Sequence, residues 1–169
     1  MRQRSSRAAA PTRPRVGALD AGLRLLSRRA HSTSELSTKL RRRGHDADEV
    51  AGALLRLTEL GYLDDRAFAE GHVRRRQAGR GPSALAGELA QRGVGREIAA
   101  GAMAGFDSDA QALAAGRLAE RLYARRAWGG YREMLNSIGA KLQRRGFSIA
   151  VARAACEAAW GAAHQEAEA

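Results

Sequence analysis

Arginine gives this chain most of the chemistry it can offer. Four groups stand out: Arg41, Arg42 and Arg43; Arg74, Arg75 and Arg76 with Arg80; Arg125 and Arg126; and Arg144 and Arg145. A guanidinium presents its N–H groups as a rigid planar fork, which grips a carboxylate or a phosphate through two parallel bonds. Each group is therefore a candidate contact for an acidic protein surface or a polyanion. A structural use competes with that reading. Every group falls where a helix is expected to end, and positive charge there offsets the negative pole of the helix dipole. The whole-chain balance leans towards binding: 29 Lys and Arg against 18 Asp and Glu leave a formal net charge of +11, with Lys39 and Lys141 the only lysines. Such a surplus points to an anionic partner and says nothing about fold.

Other chemistry is thinly supplied. His31, His45 and His72 with Asp46, Asp48, Asp64 and Asp65 are the conceivable metal or acid–base set, but they stand at expected caps and turns without metal-ligand spacing. No metal, cofactor or catalytic residue is expected. Asp64 and Asp65 diverge at a helix start, so they do not form a working carboxylate pair. The single Cys156 lies in an Ala-rich helical pattern, which excludes a disulfide framework and fits a reducing, cytoplasmic setting. Gly79-Arg80-Gly81-Pro82 lacks the Lys-Ser/Thr of a phosphate loop. Tyr62, Tyr123, Trp128 and Tyr131 are too few for a base-stacking platform and are expected to pack between helices. No apolar run approaches the ~20 residues a membrane span needs, and no apolar stretch precedes Pro11 to make a secretory signal.

The elements that would position the arginines are helical, because β-branched runs are absent and apolar residues recur at helical spacing. One unit recurs: Leu36-x-x-x-Leu40-x-x-x-Gly44, then Leu85-x-x-x-Leu89-x-x-x-Gly93, then Ile138-x-x-x-Leu142-x-x-x-Gly146, at intervals of 49 and 53 residues. Apolar residues four apart share a helix face, and the Gly marks a left-handed C-terminal cap. Intervals of this size mark tandem repeats. The pattern predicts an all-α chain of about nine helices, arranged as three tandem three-helix repeats in an elongated, curved array. The segments are a disordered basic tail (1–16), repeats at 17–63, 64–106 and 107–161, and a frayed tail (162–169). A first helix with Leu19, Leu23 and Leu26 inward ends near His31. Capping boxes are expected at Ser32–Glu35, at Asp46–Glu49 and at Ser108–Gln111. Leu113, Leu118 and Leu122 line a helix ending near Arg125, and the last helix runs from about Ile149 to Trp160.

With these units laid out, the chain resembles the RecX family of bacterial RecA regulators. The resemblance rests on Ser34-Glu35-Leu36 with Leu40 and Gly44, on Leu57-x-x-Leu60-Gly61-Tyr62-Leu63-Asp64-Asp65-x-x-Phe68-Ala69, and on Gly81-x-x-x-Leu85 with Glu88-Leu89 and Gly93-Val94. Lys141-Leu142-x-x-Arg145-Gly146-Phe147 fits as well. It covers about Ala18 to Trp160. The arginine-rich segment before Val16 is outside the matched pattern. The resemblance implies a non-catalytic, monomeric regulator, acting in DNA repair, recombination and the SOS response. Its implied partners are RecA protein and the RecA–single-stranded-DNA filament, in whose groove it would sit, with weak direct DNA binding besides. The rival expectation is a helical protein that acts on DNA or RNA itself.

Overall fold

A computed structural model of the chain describes residues 16–168, with side chains as far as Gln165; residues 1–15, and the disorder expected of that segment, fall outside it. The elements are α1 (Ala18–Leu26), α2 (Thr33–Arg41), α3 (Ala47–Glu59), α4 (Asp65–Arg76), α5 (Pro82–Gln91), α6 (Arg96–Ala102), α7 (Ser108–Tyr123), α8 (Tyr131–Met134), a π-helical segment (Leu135–Gly139), α9 (Ala140–Arg144) and α10 (Ile149–Glu168). α8, the π segment and α9 follow one another without a break, so nine helical rods and no strand stand among the described residues.

The repeated Leu–Gly spacing builds one turn four times. Gly44, Gly61, Gly93 and Gly146 have φ of +90°, +73°, +72° and +91°, the left-handed region that favours glycine. In each turn the next residue donates its N–H back to a leucine carbonyl: His45 to Leu40 at 3.4 Å, Tyr62 to Leu57 at 2.9 Å, Val94 to Leu89 at 3.1 Å and Phe147 to Leu142 at 3.2 Å. Those four leucines are fully buried. One residue thus closes the helix and anchors it.

Two compact units divide between Asp64 and Asp65. The first holds α1, α2 and α3 around Leu36, Leu40, Val50, Leu57 and Leu63. Its caps follow the sequence: the Glu35 N–H donates to Ser32 Oγ at 3.1 Å and the Glu49 N–H to Asp46 Oδ1 at 2.8 Å. On α1, Leu19, Leu23 and Leu26 pack half-buried against this core as expected, while Ala18, Ala21, Gly22 and Leu25 lie deeper and are its buried residues. The reason is close approach, since a Cβ on Gly22 would lie 2.8 Å from Leu57 Cδ1. α1 also ends at Leu26 rather than near His31.

The second unit holds α4 to α10 around one core that draws Phe68, Val73, Leu85, Leu89, Leu118, Ile138, Leu142 and Phe147 together. This second unit spans the stretch that the sequence divides into repeats at 64–106 and 107–161. α7 is capped by Asp107, whose Oδ1 accepts from the Ala110 N–H at 2.9 Å, and Ser108 is the first helical residue. α7 ends at Tyr123, and Leu113 on it is exposed while Ala114, Ala115 and Ala119 take the core face. α10 continues past Trp160 to Glu168, carried by its alanines, which favour helix without needing a core. The π segment explains why Met134, Ile138 and Leu142, four apart, are all fully buried. Its wider turn absorbs the drift that a 3.6-residue period would give.

Candidate arginine-lined anion site

Two turns far apart in sequence meet in the second unit. The Gly81 N–H donates to the Arg145 carbonyl at 2.8 Å, and the Ser83 N–H and Oγ donate to the Gly146 carbonyl at 3.3 and 3.0 Å. Arg145 Nη1 in turn donates to the Gly79 carbonyl at 3.4 Å. Both glycines are conditions of this contact. A Cβ on Gly81 would lie 2.3 Å from the Gly146 carbonyl carbon, and one on Gly146 would lie 2.4 Å from the Ala84 nitrogen. Beside the junction is an open cavity of about 370 Å³ lined by Arg75, Arg76, Gly79, Arg80 and Arg145.

One carboxylate organises part of this cluster from behind. Glu88 Oε1 lies 3.2 Å from both Arg76 Nη2 and Arg80 Nε, and its Oε2 accepts from His72 Nε2 at 2.8 Å. Burial alone would raise the Glu88 pKa, but hydrogen bonds and charge from Arg76 and His72 outweigh it and hold the carboxyl below its ordinary value. Glu88 is thus a fixed anion that aims two guanidinium groups. Arg75 and Arg145 form no ion pair with any described residue, and no carboxylate lines the cavity. Four guanidinium charges, one carboxylate and about half a negative charge at each of two helix C-termini leave roughly two positive charges there.

The other expected arginines are placed separately. Arg74 and Arg144 are exposed and outside the cavity lining. Arg126 is engaged locally, with Nη1 2.8 Å from Glu133 Oε1 and its guanidinium 3.8 Å from the Trp128 ring centre; Arg125 beside it is exposed. Arg41, Arg42 and Arg43 are exposed at the end of α2 in the first unit. The aromatics largely pack: the Trp128 Nε1–H donates to the Tyr123 carbonyl at 3.0 Å, and Trp160 meets Tyr123 and Tyr131 edge-on. Tyr62 is the exception, 60% exposed. His31, His45 and His72 are all buried. No group of three metal-ligating side chains converges among the described residues. Cys156 is buried, which pushes its thiol up to about 11. No described helix is long and apolar enough to cross a membrane.

Sequence spacing missed the role of Glu88 and the meeting of Arg80 with Arg145. The one available signal was Gly81, which stands between Arg80 and Pro82 where a helix stop alone needed no second glycine.

Comparison with known proteins agrees with this architecture. Residues 18–57 match the model for the first three-helix domain of RecX, and residues 64–103 match that for the second. The regulatory protein RecX of Halorhodospira halophila is 43% identical over 143 residues, covering 83% of this chain and 86% of that protein. That of Mycolicibacterium vanbaalenii is 46% identical over 98 residues, so the match spans about half of that relative's length (53%). The crystal structure of RecX from Lactobacillus salivarius superposes with a TM-score of 0.77 at 26% identity, covering 84% of this chain and 94% of that one. With two three-helix domains in order and this identity across most of its length, the chain belongs to the RecX family.

Proposed function

We propose that this protein is a non-catalytic regulator that binds RecA and RecA–single-stranded-DNA filaments. It lodges in the filament groove, bridges neighbouring subunits and competes with monomer addition, so it lowers recombinase, ATPase and coprotease activity. It acts as a cytoplasmic monomer in DNA repair, recombination and the SOS response. Membership of a family of regulatory proteins supports the class of function. The observation that carries the binding surface is the cavity in which Arg75, Arg76, Arg80 and Arg145 outnumber their single carboxylate neighbour. The exposed arginines at 41–43 of the first unit, and at 74, 125, 126 and 144 of the second, are assigned as further contacts with the same partner. The third triplet is taken as a diverged copy of the repeat, because the turn from Leu142 to Phe147 reproduces those at Leu40–His45 and Leu89–Val94.

A second reading, direct action on DNA or RNA, is favoured by the net charge of +11. The deciding experiment is the single-stranded-DNA-dependent ATPase of cognate RecA, titrated with this protein in a large excess of naked DNA. Inhibition that survives the excess makes the filament the target. Inhibition that disappears replaces the filament reading with sequestration of DNA.

A further inference from the structure

We propose that the cavity between the α4–α5 turn and the end of α9 is a phosphate-binding site formed by Arg75, Arg76, Arg80 and Arg145. It gives a ligand class to the cavity that carries the partner surface above and, in its nucleic-acid form, rests on the second reading, direct contact with DNA or RNA. Packing alone does not call for four guanidinium groups around one cavity, since like charges repel and Glu88 offsets them only in part. Yet the two turns are locked by three backbone-directed hydrogen bonds and by two glycines that tolerate no side chain. The arrangement is preorganised: Glu88 fixes Arg76 and Arg80, and the Gly79 carbonyl receives Arg145.

The lining selects the ligand class. Roughly two uncompensated positive charges match two neighbouring phosphates of a chain, each carrying about one negative charge. A tetrahedral phosphate can share its oxygens among several guanidinium forks, whereas a planar carboxylate is satisfied by one or two. Small-molecule sites are enclosed and mostly apolar. This cavity is open, is lined by arginines and one glycine, and has no aromatic side chain for a base. The phosphate therefore arrives on a larger or extended anion, either a nucleic-acid backbone or a free polyphosphate chain, and is held without sequence preference.

The test uses the full-length chain without RecA. Binding of a fluorescein-labelled oligothymidylate is followed by anisotropy across a NaCl series, and binding of sodium tripolyphosphate by calorimetry. The variants are Arg75→Gln, Arg145→Gln and, as an equal charge change at the exposed Arg117 of α7, Arg117→Gln, with helicity checked by circular dichroism. For a nucleic-acid backbone, Arg75→Gln and Arg145→Gln each weaken oligonucleotide binding by about three- to tenfold, and the log–log salt slope becomes shallower by about 0.7 for each phosphate no longer engaged. For a free polyphosphate, the same two variants lose tripolyphosphate binding while oligonucleotide binding stays unchanged. Either result establishes the site and names its source. Losses no larger than those of Arg117→Gln with both probes overturn it. So does loss confined to Arg145→Gln, because that side chain also bonds the Gly79 carbonyl and Arg75 makes no such bond.

Discussion

His45 occupies the place in its turn that Val94 and Phe147 occupy in theirs, and all three are buried. It is the polar substitute in an apolar position. Its Nδ1 lies 3.4 Å from Glu49 Oε2, yet it is not aligned for a hydrogen bond and stays buried without one. The orientation matters more than the separation, so this contact is weak. His45→Val is expected to stabilise the first unit by about 1 kcal/mol, the scale of an unsatisfied buried polar group, measured by urea unfolding; destabilisation would show that the Glu49 contact matters more. Glu88 makes the opposite case. Its folded pKa lies below the ordinary 4.5, so its contribution is complete above that value and is lost as pH falls through the lower folded one. Glu88→Gln should lower the melting temperature at pH 7, and the gap from the parent should narrow steadily as pH falls below 4.5. A gap independent of pH would mean that the side chain acts by packing alone.

At the scale of elements, equivalent glycines carry unequal burdens. Gly44 and Gly146 share a left-handed φ, but nothing lies within 4 Å of a Cβ on Gly44, while a Cβ on Gly146 meets the Ala84 backbone. Gly44→Ala should cost about 1–2 kcal/mol, the backbone strain alone. Gly146→Ala should cost upwards of about 3 kcal/mol, because it also pries the two arginine turns apart; equal losses in chemical denaturation would count against the junction. The same contrast explains what the sequence made legible. Local spacing revealed the helices, the Leu–Gly turns and the caps at Ser32 and Asp46, since each depends on residues a few positions apart. It found the leucines of α1 that pack against the core but not the deeper small residues, where Gly22 lets Leu57 approach, because periodicity weighs leucines and overlooks the small residues that permit close approach. Nor could it pair Arg80 with Arg145, which only the meeting of the turn before α5 with the turn after α9 brings together. The arginine groups were visible, whereas the selection of four of them for one cavity was not.

For the whole molecule, the arginines are distributed over both units, and their contributions should separate. Replacing Arg41, Arg42 and Arg43 together by Ala removes three exposed charges that no core contact depends on. Partner binding should weaken by about tenfold at low salt, and by less as salt rises, while helicity stays constant. Unchanged binding to RecA filaments would remove α2 from the partner surface. The junction at Gly81 carries one more consequence, for how the protein is made. The first unit closes through contacts within residues 18–63 and can form as soon as that stretch leaves the ribosome. The Gly81 N–H finds its acceptor only once Arg145 has been synthesised. Until then the nascent second unit lacks the partner of its α4–α5 turn, and a pause of the ribosome along α7 to α9 should lengthen the time in which a chaperone or a protease can seize it.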